Sequence, residues 1–201
     1  PITTRETIGD LAQDVLADAP PRFALAGLSM GGIVAMEVIR RAPDRVTRLA
    51  LLDTNHRAET PEKASARAPQ IAAAQAGRMV EIMRDEMKPN YLAPGPARAD
   101  TLDLVMEMAV ALGPAVFVRQ SHALRTRPDQ SATLRGLRVP TLVRCGRHDL
   151  LCPIVRHEEL AEMIPGAELV VIDGAGHLPT LETPEAVSEA LVQWMGRTVC
   201  P

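Results

Sequence analysis

The stretch that most constrains this chain is Phe23-Ala24-Leu25-Ala26-Gly27-Leu28-Ser29-Met30-Gly31-Gly32. An apolar run suited to a buried strand ends in Gly-x-Ser-x-Gly, and Ile33, Val34, Met36, Val38 and Ile39 follow at helical spacing. Strand, tight turn and helix in that order make a common five-residue pattern a nucleophile elbow. The serine must sit on a strained turn with its hydroxyl exposed, and the missing Cβ atoms of Gly27 and Gly31 let strand and helix approach closely around it. The helix then aims its N-terminal N–H groups at the place where negative charge develops. Ordinary turns also contain Gly-Ser-Gly patterns, so the meaning of this one depends on what lies downstream.

Downstream, Arg138 to Gly146 reads as a strand closing in Arg147-His148-Asp149, and Ala167 to Ile172 as another closing in Asp173-Gly174-Ala175-Gly176-His177. Ser29, Asp149 and His177 thus each fall just beyond a predicted strand. The order Ser, Asp, His differs from the two other orders in which serine-protease triads occur. A serine hydroxyl needs a base, an imidazole can take its proton and return it to a leaving group, and a carboxylate can orient the imidazole.

The chain resembles the α/β-hydrolase superfamily through Gly27-Leu28-Ser29-Met30-Gly31-Gly32, Gly146-Arg147-His148-Asp149 and Gly174-Ala175-Gly176-His177-Leu178-Pro179. Leu181-Glu182-Thr183-Pro184-Glu185 is similar to the start of that family's last helix. The resemblance covers nearly the whole chain. It implies an α/β fold, a parallel sheet flanked by helices, corresponding to strands five to eight of the family, with a helical cap insertion. The family's four preceding strands and its oxyanion loop have no counterpart in this sequence, so the chain reads as the C-terminal two thirds or so of a typical member, with the elbow strand as an exposed, apolar sheet edge. One oxyanion donor is the N–H of Met30; the second belongs by resemblance to the loop without a counterpart. Some members carry their acid one strand earlier, which makes Asp53 the reserve acid; its other reading is a turn or cap residue after a strand. Serine rather than aspartate at the elbow points to acyl-enzyme chemistry on esters or related carbonyls. Carboxylesterases, carbon–carbon bond hydrolases, enol-lactone hydrolases and haloperoxidase-like perhydrolases stay open, as does a non-catalytic relative.

Composition narrows the partners. A net charge of −3 and only four aromatic residues, with no basic stripe, argue against nucleic acid. At 201 residues the chain is long enough for one sizeable core. No apolar stretch approaches a membrane span and no leader peptide is visible. Cys145, Cys152 and Cys200 have no metal-ligand spacing and suit a reducing cytoplasm. We therefore expect a small-molecule substrate, no membrane, no cofactor and no metal; a homodimer stays open.

Along the chain, Thr7 to Ala19 is helical in pattern and Val46 to Leu52 is a buried strand. Residues 1–56 and 127–201 form the expected core, and 57–126, where strand signals vanish, the expected cap. Within the cap, Ile71, Met79, Ile82, Met83 and Met87 share a face of a helix ending before Pro89, and Leu102 to Leu112 is apolar nearly all round, hence buried or pocket-facing. Five of the nine methionines lie there, as core filler or as a flexible apolar pocket. Leu28, Met83, Met106, His122 and Leu178 are the candidate substrate contacts. His148 reads as a turn residue and His157 as lying on an exposed helix face; these two and His56 are expected to be solvated.

Overall fold

The computed structural model describes residues 2–197; Cys200 lies outside them. Helix α1 (Ile8–Asp18) is capped by Thr7, whose hydroxyl accepts the Asp10 N–H, and buries Ile8, Leu11 and Ala12. Strand β1 (Phe23–Leu28) leads through Ser29 into α2 (Met30–Arg41). Strand β2 (Val46–Leu52) follows, then β3 (Thr141–Gly146) and β4 (Glu168–Ile172). The four pair in parallel in the order β1-β2-β3-β4, with Gly27 opposite Leu51, Leu51 opposite Val143 and Val143 opposite Leu169. Parallel pairing requires crossovers, and helices supply them. β1 is an edge strand on which Ala24 and Ala26 are exposed.

Side chains alternate between two apolar layers. Leu49, Leu51 and Val143 join α1 and α2 on one face, together with α8 (Ile154–Met163). Ala50, Leu52 and Leu142 join Val187 and Trp194 of α10 (Pro184–Met195) on the other. Arg144 is fully buried in β3, and none of its guanidinium nitrogens has a hydrogen-bond partner among the described residues. Glu37 is buried on α2, where Arg40, Arg41 and Gln130 each donate to its carboxylate at 2.7 Å.

Between β2 and β3 the described residues form helices and turns. They are α3 (Pro61–Gln75), α4 (Met79–Ile82) with a wide turn at Met83–Met87, α5 (Arg98–Leu112), α6 (Pro114–Arg125) and α7 (Ser131–Arg135). The single helix expected to carry Ile71 through Met87 is broken, because Gly77 takes φ 83° and ends α3. α5 also departs from expectation: Val105 is buried, whereas Leu104, Met108, Val110 and Leu112 are exposed. An all-round apolar helix needs neighbours on every side, and α5 has them on one side only.

Candidate active site

Ser29 occupies the turn between β1 and α2 with φ 52° and ψ −119°, a conformation unfavourable for any residue with a Cβ. The strain is held by its neighbours. The Ser29 N–H donates to the Leu52 carbonyl at 2.9 Å, and the Ser29 carbonyl accepts from Gly32 N at 3.0 Å and from Thr54 Oγ1 at 2.7 Å. A Cβ on Gly27 would overlap the Gly31 backbone, so that glycine is required by close approach. Gly31 is not, since nothing lies within 4 Å of where its Cβ would be. The second close approach belongs to Gly32, whose Cβ would stand 2.6 Å from Thr54 Oγ1.

His177 is buried and joins the other two residues. Its Nε2 lies 2.8 Å from Ser29 Oγ and its Nδ1 2.9 Å from Asp149 Oδ2. Asp149 Oδ1 accepts the N–H groups of Leu151 at 2.8 Å and Cys152 at 2.9 Å. With Nδ1 donating to the carboxylate, Nε2 is left to accept from the serine. The loop carrying His177 is fastened from outside the sheet. Its N–H donates to the Tyr91 carbonyl at 2.7 Å, and the Tyr91 ring lies 6.1 Å from the imidazole, centroid to centroid. Glu182, in the short helix α9 (Pro179–Glu182), accepts from Ala93 N at 2.7 Å through one oxygen and from Gly176 N at 2.8 Å through the other. In the sequence Glu182 stands out only as part of the segment similar to the family's last helix; the signal for this role is a carboxylate five residues after a Gly-x-Gly-His loop.

The remaining candidates separate. Asp53 does not hydrogen-bond His177; it follows β2 in a bend and is fully buried, with Oδ1 accepting from Gly146 N at 2.8 Å. Met30 is the first residue of α2, where backbone N–H groups have no intrahelical partner. Met83, Met106 and Leu178 lie in one apolar cluster with Ala74, Met79, Ile82, Val105 and Tyr91, which therefore reaches the residue next to His177. Leu28 instead packs toward Ala50, Leu52 and Leu142 on the α10 side. His122 is half-buried in α6, and its ring joins none of the hydrogen bonds that link Ser29, His177 and Asp149.

Two histidines expected in solvent are inside. His157 of α8 is fully buried, its Nε2 accepting the Thr54 N–H at 3.0 Å, and burial pushes its pKa down to about 4. His56 is buried as well, which lowers its pKa. Asp149, Cys152 and His177 are the one group of potential ligands found within 4.8 Å of one another among the described residues. Asp149 and His177 already bond each other, and burial pushes the Cys152 thiol up to about 12. That set suits a proton relay better than a soft metal, which wants a thiolate.

Comparison with known proteins places the chain in a family. A profile described as "Alpha/beta hydrolase family" matches residues 1–190. The chain belongs to the α/β hydrolase family. A pimeloyl-[acyl-carrier protein] methyl ester esterase of Aromatoleum aromaticum is 32% identical over 183 residues, covering 85% of this chain and 73% of the relative. Among solved structures, a thermophilic esterase from Thermogutta terrifontis with malate bound superposes with a TM-score of 0.89 at 30% identity, covering 96% of this chain and 74% of that one. An enol-lactonase from Burkholderia xenovorans LB400 gives 0.84 at 28% identity, over 95% and 74%. This α/β hydrolase is thus a hydrolytic enzyme by kinship, and no single helix among its described residues is long and apolar enough to cross a membrane.

Proposed function

We propose that this α/β hydrolase cleaves an ester or related carbonyl bond of a small, mostly apolar substrate through an acyl-enzyme. The observation that carries the reading is the bridging of Ser29 and Asp149 by the two ring nitrogens of His177, at 2.8 and 2.9 Å. Ser29 Oγ attacks the carbonyl carbon as its proton passes to His177 Nε2. The charged oxygen of the tetrahedral intermediate is stabilised by the Met30 N–H at the start of α2. His177 then protonates the leaving alcohol, and a water activated by the same nitrogen releases the acid. Asp149 holds the imidazole in the tautomer that leaves Nε2 free to accept.

Residues 57–126 act in this reading as a cap, and the cluster of Met83, Met106 and Leu178 beside His177 supports an apolar acyl or ring moiety. The esterase relatives and the enol-lactonase neighbour support oxygen esters, cyclic or open, over carbon–carbon bonds. No step calls on a cofactor. Free thiols at Cys145 and Cys152 support a reducing cytoplasm as the setting.

Labelling with a fluorophosphonate, read by intact mass on the protein and on Ser29→Ala, tests the assignment. One adduct on the parent and none on the variant is expected. An unlabelled but folded parent would favour a non-catalytic relative.

A further inference from the structure

Behind Asp149 sits a second carboxyl that the proposed mechanism does not use. β2 ends in Asp53, whose backbone takes φ 44°, a left-handed conformation that holds its side chain against the end of β3. The Asp53 N–H donates to the Arg144 carbonyl at 2.9 Å, and its Oδ1 accepts from Gly146 N. The other oxygen, Oδ2, is buried and has no hydrogen-bond partner among the described residues. Asp149 hangs from the same residue, its N–H donating to the Gly146 carbonyl at 3.3 Å while Gly146 N donates to Asp53, and its charge acts on the Asp53 carboxyl.

Two carboxylates so placed repel each other, and neither offers the other a proton. A single proton on Asp53 Oδ2 removes the repulsion and gives the orphaned oxygen a partner. Asp149 is the member that remains charged, because it already accepts from His177 Nδ1, Leu151 N and Cys152 N. A hydroxyl from Asp53 supplies a fourth donor, about the number a carboxylate accommodates. The other groups facing Asp53 do not take this part. Arg144 of β3 forms no ion pair with it among the described residues. The Cys145 and Cys152 thiols are held neutral by burial, and His157 of α8 commits Nε2 to Thr54.

We infer that Asp53 is a positioning residue of the triad: it keeps its proton and donates Oδ2–H to Asp149, locking the carboxylate that orients His177. This rests on reading Ser29, His177 and Asp149 as the catalytic triad. Burial first, with the charge of Asp149 added, pushes the Asp53 carboxyl well above the usual carboxylate range, so the proton persists at neutral pH. A carboxyl whose folded pKa is raised takes up a proton on folding, so stability falls as pH rises from the unfolded toward the folded value. When Asp53 finally ionises, Asp149 loses its donor and gains a like charge, and turnover falls.

The test compares the parent with Asp53→Asn and Asp53→Leu. Asparagine keeps an acceptor for Gly146 N and a neutral N–H donor for Asp149; leucine keeps neither. Denaturant unfolding from pH 5 to 9 is read first and needs no catalysis. Asp53→Asn is expected to gain steadily on the parent as pH rises, whereas parallel stability profiles would overturn the proposal. The pH profile of Ser29 labelling is read second. Asp53→Asn is expected within about tenfold of the parent at pH 7 and without its alkaline decline, while Asp53→Leu falls by about a hundredfold, on the scale of lost supporting hydrogen bonds. Equal damage from Asn and Leu, or an unchanged alkaline limb in Asp53→Asn, would also overturn it. If Ser29 labels in no protein the triad reading fails, and the unfolding comparison still decides whether Asp53 carries the proton; a Leu variant that does not fold leaves the Asn comparison intact.

Discussion

The His177 N–H donates to the Tyr91 carbonyl at 2.7 Å, tying the residue proposed as general base to the helical segment inserted between β2 and β3. Glu182 doubles the tie by accepting N–H groups from both sides, Ala93 at 2.7 Å and Gly176 at 2.8 Å. The inserted segment therefore sets where the imidazole stands.

Glu182→Ala should consequently lower kcat for a model ester by about ten- to a hundredfold with little change in KM, the range found when a partner that orients a functional ligand is removed. Steady-state kinetics check this. A KM effect with kcat preserved would assign Glu182 to substrate binding instead.

The glycines of the elbow should not behave alike. Gly31→Ala meets open space in the first turn of α2 and should keep labelling at Ser29 with equal or slightly higher thermal stability. Gly32→Ala drives a methyl into Thr54, which holds the Ser29 carbonyl, and should cost about 1–3 kcal/mol of stability and much of the labelling rate. Thermal unfolding and labelling of the two variants side by side would reveal any reversal.

Glu37 should dominate part of the acid limb of stability. Hydrogen bonds from Arg40, opposed by burial, bring its carboxyl down to about 2. A depressed carboxyl stabilises above its unfolded pKa, and the contribution disappears as pH falls from about 5 toward 2. Glu37→Gln is expected to lose on the order of 3 kcal/mol at pH 7 and to converge with the parent near pH 2. Urea melts across that range measure it.

Arg144 is the reverse case. A buried guanidinium with no partner among the described residues carries its desolvation uncompensated, and that desolvation lowers its pKa. Arg144→Met keeps much of the length and removes the charge, so the thermal midpoint should rise by at least about 2 °C. A falling midpoint would mean that the guanidinium contributes more than its burial costs.

The legible part of this protein is the part written locally. β1, β2 and α10 follow from short apolar patterns bounded by turn residues, and Ser29, Asp149 and His177 are recognisable because each ends a strand in a characteristic loop. Long-range partnership is what the chain conceals. His157 looked like a surface residue until Thr54, more than a hundred positions away, was found donating to its ring. Asp53 does turn the chain after β2, but nothing nearby in sequence announces that its side chain bonds Gly146, 93 positions away. α5 misled in the opposite direction, since an apolar pattern states what a helix is able to bury, and only packing determines how much of it finds cover.

The Ser29–His177 bond joins positions 148 residues apart, across a sheet whose every pairing is parallel. Contacts of that span close late and slowly, because large loops must be ordered before they form. A reactive Ser29 is therefore a clock for the whole molecule: during refolding, helical signal should return well before the hydroxyl regains its nucleophilicity.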